Sequence, residues 1–246
     1  MAAVPGVQWF RTGLGDAMEG GIGRYPFSAV IFDMDGVLVD TEMFYVRELA
    51  DYAAHLGIEP TREELVGQVG QSYDFFCRLL AGWEERAGRG AVAPEEAITR
   101  YAEWAAGYPC DYAELLNPGA SEALDGLARR GVRCALASSS PMMTIEAVLS
   151  ACGLSDAFEI IVSGEQFQES KPNPEIYLHT LDCLDLLAGE CCCVEDSVPG
   201  IAAGKAAGLY TIAKREERFG FSQDEADLII DELPDLLELE DGALGA

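Results

Sequence analysis

The sequence predicts an α/β fold, in which a parallel β-sheet forms the core and a block of helices is inserted after the first strand. Short β-branched runs alternate with helical segments after residue 120, and such alternation is typical of right-handed crossovers between parallel strands. Residues 41–116 instead show helical periodicity with little sign of strands. The chain has 246 residues, of which 49% are hydrophobic, so it can bury a large core and a smaller second unit.

The first strand is predicted within Phe27–Gly36, where a short apolar run ends in acids and a glycine. Runs of this kind are typical of buried parallel strands, which present their last residues at the carboxyl edge of the sheet. The other predicted strands are Val132–Ala137, Glu159–Val162, Cys191–Glu195 and Tyr210–Ala213. The helices predicted in this part of the chain are Ser121–Arg130, Met142–Cys152, Pro174–Leu186 and Ile201–Ala207.

The inserted block is predicted to form a helical cap. Its predicted helices are Met43–Leu56, Thr61–Gln68, Ser72–Arg86 and Pro94–Ala106. Folds of this type bind ligands at the carboxyl edge of the sheet, which is where the chain leaves for this insertion. We therefore divide the chain into a flexible N-terminal extension (1–26), a core (27–40 and 117–246) and an all-helical cap (41–116).

Charge and hydropathy argue against several classes of function. The net charge is −27, from 16 basic and 43 acidic residues, so the surface repels nucleic acid and anionic membranes. No run of about 18 apolar residues is present, as a membrane-spanning helix would need. Charged residues interrupt the glycine-rich start, which therefore does not resemble a secretory signal. We expect a cytoplasmic monomer whose cysteines stay free.

Three adjacent cysteines, Cys191–Cys193, lie in a predicted strand, and one valine separates them from two acids. Side chains alternate between the faces of a strand, so Cys191 and Cys193 share one face and Cys192 points to the other. Zinc and iron sites usually use a short loop with C-x₂-C spacing rather than a straight strand. The interpretation we favour is that these thiols pack as small hydrophobic side chains, with a metal site as the alternative.

Polar side chains lie at or after the ends of four of the predicted strands. They are Asp33 and Asp35 at the end of the first, Ser138 at the end of the second, Lys171 after the third, and Glu195 and Asp196 at the end of the fourth. Each alone is weak evidence, because Asp-Gly pairs commonly form turns and serine runs commonly begin helices. Together, carboxylates suit Mg²⁺, whereas a lysine and a hydroxyl beside them suit a phosphoryl group. The chain has only three lysines, so Lys171 in this set is informative.

Four stretches resemble the four motifs of the haloacid dehalogenase superfamily, in its β-phosphoglucomutase-like subfamily of phosphatases and phosphomutases. They are "DMDGVLVDTE", "ASSS", "SKPNPEIY" and "VEDSVPGIAAGKAAG", and the match extends from about Ser28 to Ala213. Four motifs in the right order, with an insertion at the expected place, are far more specific than one DxD. The resemblance implies a Rossmann-like parallel-sheet core with an inserted all-helical cap.

The resemblance also implies a role for each matching residue. Asp33 is expected to be the nucleophile that forms an aspartyl-phosphate, and Asp35 the general acid and then the base. Ser138 is expected to hydrogen-bond the phosphoryl group, and Lys171 to neutralise it.

The resemblance further implies that one Mg²⁺ ion is held by these motifs. Its expected ligands are Asp33, the backbone carbonyl of Asp35, and Asp196, with Glu195 a ligand directly or through water. Thr41 and Glu42 match the junction with the cap, where substrate contacts are expected.

Three functions are consistent with this pattern. We expect an Mg²⁺-dependent phosphatase acting on a small phosphorylated metabolite, often a sugar phosphate in this subfamily. The first alternative is a phosphomutase of the β-phosphoglucomutase kind, and the second is a catalytically silent regulator on the same fold. Resembling mutases carry a cap arginine where this chain has Tyr73, which favours hydrolysis; Arg78, about one helical turn further, is the only nearby cation.

Overall fold

The computed structural model describes residues 7–9, 25–68 and 73–240, and the chain divides into two compact units. One unit comprises residues 1–40 and 112–246, and the other comprises residues 41–111. The cap was predicted to extend to residue 116. The structure assigns 112–116 to the core unit instead, because Asp40 N–H donates to Leu115 O (2.8 Å) and Asn117 N–H donates to Leu38 O (2.8 Å).

The strands of the core unit are β1 (Val7–Trp9), β2 (Ala29–Phe32), β3 (Arg133–Ser138), β4 (Ile160–Ser163), β5 (Cys191–Glu195), β6 (Tyr210–Lys214) and β7 (Leu228–Ile230). In the described part of the chain they form one sheet in the order β1-β4-β3-β2-β5-β6-β7. Strands β2–β7 are parallel and β1 is antiparallel to β4. The predicted parallel α/β core is confirmed.

Two strands were not predicted. Residues 1–26 were expected to form a flexible extension, but within it Val7–Trp9 pair with Ile160–Val162 at the edge of the sheet. A three-residue strand is too short to show alternation, so its tertiary partner decides its structure. Tyr25, which was also assigned to the extension, is buried, and its ring packs edge-on against Phe27. At the other edge, β7 is similarly short.

The helices of the core unit are α5 (Ala120–Arg129), α6 (Met142–Ala151), α7 (Glu175–Leu184) and α8 (Val198–Ala206). Each lies within three residues of its predicted bounds at either end. Short 3₁₀ turns occupy Tyr112–Leu115, Gly164–Gln166, Ala188–Glu190 and Leu233–Glu238. The order of the strands reverses at β2, which has β3 on one side and β5 on the other. A crevice at such a reversal is where open α/β sheets bind ligands.

The second unit contains the helices α1 (Thr41–Leu56), α2 (Arg62–Val66), α3 (Tyr73–Arg86) and α4 (Pro94–Ala105). Its core includes Tyr52, Leu80 and Trp83. A buried acid, Glu84, accepts from Tyr52 Oη (2.9 Å) and Arg100 Nη1 (2.9 Å). Burying a charge is tolerable only with such partners.

The three cysteines of β5 are completely buried and all eight cysteines are free. Cys191 and Cys193 pack in the apolar cluster formed with Tyr177 of α7 and Ala203 of α8. Burial raises the pKa of Cys191 to about 11 and that of Cys193 to about 12, so both remain thiols at neutral pH. The structure therefore favours packing over metal ligation.

Candidate active site

The first part of the site is the tight turn that follows β2. Asp33 continues the strand, because its N–H donates to Val194 O (3.0 Å), and the chain then turns through Gly36. Gly36 has φ +80°, and a β-carbon there would collide with the carboxylate of Asp196. Only glycine combines this backbone conformation with so close an approach. The glycine thereby lets the turn after Asp33 and the end of β5 meet.

Lys171 lies at the centre of the charged groups. Its Nζ donates to Asp33 Oδ1 (2.6 Å), Glu195 Oε1 (2.6 Å) and Ala137 O (3.0 Å). The side chain is only 7% exposed, so these ion pairs are poorly screened by water. Burial lowers the pKa of Lys171, but the two carboxylates outweigh that effect and hold it above its ordinary value. The ammonium is therefore a permanent positive charge at this edge of the sheet.

Asp33, Glu195 and Asp196 form an acidic cluster that could hold a metal ion. One ligand atom from each lies within 4.8 Å of the other two, and all three residues are buried. Glu195 is fully buried, yet its Oε2 has no hydrogen-bond partner among the described residues. A cation would satisfy an orphaned buried carboxylate oxygen of this kind.

The pKa of Asp33 is raised well above its ordinary value, mainly by burial. The charges of Glu195 and Asp35 raise it further, whereas Lys171 acts in the opposite direction. The single ammonium thus compensates only part of the negative charge collected here. A cation held by these acids would offset the remainder.

The serines at the end of β3 contact Asp35. Ser140 Oγ donates to Asp35 Oδ2 (2.9 Å), while Ser138 Oγ is 3.5 Å from the same oxygen. Ser138 is fully buried and accepts from the N–H of Ser140 (3.1 Å). Ser140 is half-buried, and it is the closer partner of Asp35. Nothing in the stretch "ASSS" distinguishes Ser140 from Ser138 as a partner of Asp35.

All six core residues expected in the site therefore come together at one edge of the sheet. The four residues expected in the cap belong to the second unit. Thr41 and Glu42 begin α1, and Arg78 lies exposed on α3. Tyr73 begins α3, but its side chain lies outside the described residues. Substrate contacts by these four residues stay predictions.

Tyr177 supports the site but was not identified from the sequence. It is fully buried on α7, its hydroxyl donates to Glu195 Oε1, and its ring lies 5.0 Å from Lys171 Nζ. A buried tyrosine hydroxyl needs a hydrogen-bond partner, and this need was the only indication of the role of Tyr177 that the sequence contained. The partner itself is 18 residues away in the chain and could not be inferred from the pattern.

Three further side chains hold the backbone around the acids. Asn117 Nδ2 and Lys214 Nζ each donate to Gly36 O, both at 3.1 Å. Gln223 Nε2 donates to Asp196 O (2.6 Å) and Lys214 O (2.8 Å), and its Oε1 accepts from Glu216 N–H (2.9 Å). These bonds fix the two acidic turns relative to each other.

None of the described helices is long and apolar enough to cross a membrane. His55, in the helical unit, is exposed and stacks on Tyr52, and His179 of α7 packs against Phe167.

Several proteins of known sequence are similar to this chain. Hexitol phosphatase B of Escherichia coli is 35% identical over 185 residues, which are 75% of this chain and 82% of that protein. A phosphorylated carbohydrates phosphatase of Thermotoga maritima is 33% identical over 191 residues, which are 75% of this chain and 83% of that protein. The chain also matches Protein SUPPRESSOR OF QUENCHING 1, chloroplastic, of Arabidopsis thaliana, at 34% identity, but spans only 18% of it.

Among solved structures, β-phosphoglucomutase of Clostridium difficile has the same fold. The TM-score is 0.62 at 23% identity, with 85% of this chain and 93% of that chain covered. The family model of the haloacid dehalogenase-like hydrolases matches residues 27–208, which include the six core residues expected in the site. The chain belongs to the haloacid dehalogenase-like hydrolase family.

Proposed function

We propose that the protein is an Mg²⁺-dependent phosphatase that hydrolyses a small phosphorylated metabolite, in particular a sugar phosphate, through an aspartyl-phosphate on Asp33. The observation that carries the proposal is the contact of Lys171 with both Asp33 and Glu195 at 2.6 Å, beside Asp196. One ammonium and three clustered acids form a site for a cation and an anionic group together.

The residues present fit an Mg²⁺ ion. Asp33, Glu195 and Asp196 supply hard oxygen ligands, and the unpartnered Oε2 of Glu195 is available in their midst. When bound, the ion would neutralise charge on the phosphoryl oxygens and on the acids around them. The eight cysteines, which are all free, offer no competing cluster among the described residues.

The reaction follows from what the side chains can do. A carboxylate oxygen of Asp33 attacks phosphorus, the bond from phosphorus to the leaving oxygen breaks, and Asp35 gives that oxygen a proton. Asp35 then takes a proton from water, whose oxygen attacks the same phosphorus and releases inorganic phosphate and free Asp33. Lys171 keeps one oxygen of Asp33 in place and offsets the charge that gathers on the phosphoryl group.

Ser140 gives Asp35 a defined position for both proton transfers. Its hydroxyl donates to Asp35 Oδ2, so that oxygen is oriented and the other one can face the leaving group. Ser138, which lies beside it, is proposed to contact the phosphoryl group.

The relatives support a carbohydrate substrate. Two curated proteins that this chain covers over four-fifths of their length are named for hexitol and for phosphorylated carbohydrates. We extend this substrate class to the present chain. We also propose that the protein is a cytoplasmic monomer, in keeping with its free thiols. Its net charge of −27 argues against binding to nucleic acid or to membranes.

A phosphatase screen tests the proposal. The protein is incubated with a panel of sugar phosphates, polyol phosphates and nucleotides, with Mg²⁺ and with chelator, and released phosphate is measured. We expect release from one or more sugar or polyol phosphates only when Mg²⁺ is present. Release that persists undiminished in chelator would refute the metal requirement, and no release from any compound would favour a silent regulator.

A further inference from the structure

We propose that Gly200 is a positioning residue for the metal site: it leaves the space that the carboxylate of Glu195 must occupy to serve as a ligand. This inference rests on the proposed function and names a residue beyond the ligands themselves. Gly200 lies in the first turn of α8, five residues after Glu195. It is far in sequence from the turn after β2 that carries Asp33 and Asp35.

The carboxylate of Glu195 has two unlike oxygens. Oε1 accepts from Lys171 Nζ (2.6 Å) and from the hydroxyl of Tyr177, so it is fully engaged. Oε2 is buried without a partner and belongs to a residue of the acidic cluster. The two bonds on Oε1 thus fix the direction in which Oε2 points.

Gly200 borders that second oxygen. A β-carbon at position 200 would lie closer than 3.0 Å to three atoms of Glu195, namely Oε2, Cδ and Oε1. Such overlap is not found in proteins, and Glu195 is fully buried, so its carboxylate could escape only by leaving its bonds with Lys171 and Tyr177. Glycine at position 200 is therefore a condition for the observed placement of Glu195.

Backbone conformation does not explain this glycine. Gly200 is helical and has no positive φ, unlike Gly36, so alanine would fit its backbone and favour the helix. The contact with Glu195 is thus the feature that alanine would violate. Two other helical glycines serve as controls: Gly82 on α3 has nothing within 4 Å of a β-carbon, and Gly204 on α8 would meet Cys193 Sγ at 2.5 Å.

The first experiment measures melting temperature in the absence of metal for Gly200→Ala, in the wild type and in a Glu195→Ala background. We expect Gly200→Ala to lower the melting temperature when Glu195 is present. In the Glu195→Ala background the same change should be neutral or stabilising, because the overlap is gone while the helix gains alanine. An equal loss in both backgrounds would overturn the proposed contact.

The control variants make the result specific. Gly82→Ala should not lower the melting temperature, and Gly204→Ala should lower it equally with and without Glu195, because its neighbours are Cys193 and Thr211. A loss for Gly204→Ala that also disappears in the Glu195→Ala background would show that the whole helix responds to Glu195, and would overturn the specific role of Gly200.

The second experiment measures Mg²⁺ binding by calorimetry, without substrate. Gly200→Ala should weaken Mg²⁺ binding about tenfold or more, which is the scale of losses when ligand-orienting groups are removed. Gly204→Ala should bind Mg²⁺ like the wild type. Binding by Gly200→Ala with unchanged affinity would overturn its positioning role. A wild type that binds no Mg²⁺, with the melting-temperature result as expected, would instead refute the metal in the proposed function.

Discussion

At the scale of single residues, the site depends on an ion pair that has little access to water. Lys171 and Asp33 are 7% and 11% exposed in their side chains, and removing one partner of such a pair leaves the other charge buried. Breaking a buried pair in this way typically costs about 3–5 kcal/mol. A useful probe of the chemistry should therefore keep the shape of the side chain and change only its reactivity.

Asp33→Asn meets that requirement. The amide oxygen can still accept from Lys171, but an amide does not attack phosphorus, so turnover should fall below detection while the fold persists. Phosphate release and the circular dichroism spectrum check the two halves of this expectation. Asp182→Asn on α7 is a matched control, because the same change at a residue outside the site should leave turnover intact. Appreciable Mg²⁺-dependent release by Asp33→Asn would contradict the assignment of the nucleophile.

At the residue scale, the sequence predicted that groups near the carboxyl ends of strands would meet, while their roles stay predictions. Asp33, Glu195 and Asp196 lie at or directly after the ends of β2 and β5, Lys171 follows β4, and parallel strands bring their carboxyl ends to one edge. Tyr177 and Gln223 were missed because each is defined by a partner distant in the chain. A buried polar side chain reveals that it needs a partner, but the pattern does not reveal which backbone will supply it.

At the scale of elements, the segment after β6 holds the end of β5. Gln223 is 6% exposed and links Asp196, Lys214 and Glu216 through three bonds with backbone atoms. Gln223→Glu keeps the size but replaces the donor with an acceptor that faces two carbonyl oxygens. Unpairing buried groups in this way costs about 1–3 kcal/mol each, more for a charge.

We expect Gln223→Glu to lower the free energy of unfolding and to weaken Mg²⁺ binding, since the backbone of Asp196 loses its donor. Urea unfolding and calorimetry measure the two effects. Gln168→Glu, an identical change at an exposed position, is the control and should alter neither. If Gln223→Glu lost stability but kept its Mg²⁺ affinity, the segment would be structural only.

Strand β5 carries three buried cysteines and, at its end, an acid of the proposed metal site. Replacing Cys191 by Ala and Cys193 by Val should lower stability by about 1–2 kcal/mol through imperfect packing, and leave Mg²⁺ dependence unchanged. Denaturant unfolding, elemental analysis and the phosphatase assay check this. Stoichiometric zinc in the wild type that disappears from the double variant would show that the thiols are ligands.

At the scale of the whole molecule, the sequence predicted the division into an α/β core and a helical unit, because the two have different periodicity over long stretches. The boundary shifted from residue 116 to 111 because backbone pairing between Asp40 and Leu115 attaches that segment to the core. A segment of five residues is too short to show a hydrophobic periodicity from which such pairing could be predicted. Strand β1 was missed for the same reason.

The choice between hydrolysis and isomerisation also belongs to the whole molecule, because it depends on what the helical unit offers to a second phosphate. A mutase must hold a bisphosphorylated intermediate, and resembling mutases carry an arginine at the position of Tyr73. A tyrosine can donate one hydrogen bond but lacks the charged, bidentate fork of a guanidinium. The unit has no lysine, and Arg78 is the nearest arginine on the same helix.

Water should therefore reach the aspartyl-phosphate before a second sugar phosphate does, and inorganic phosphate should be the product from a sugar monophosphate. With β-glucose 1-phosphate and Mg²⁺, phosphate and glucose 6-phosphate are measured in parallel. Tyr73→Arg introduces the arginine that resembling mutases carry, and Arg78→Ala removes the nearest arginine on the same helix. Comparing the two variants with the wild type tests whether a cation at this position decides between hydrolysis and isomerisation. Efficient formation of glucose 6-phosphate by the wild type, with little phosphate released, would show that the helical unit grips the second phosphate by other means.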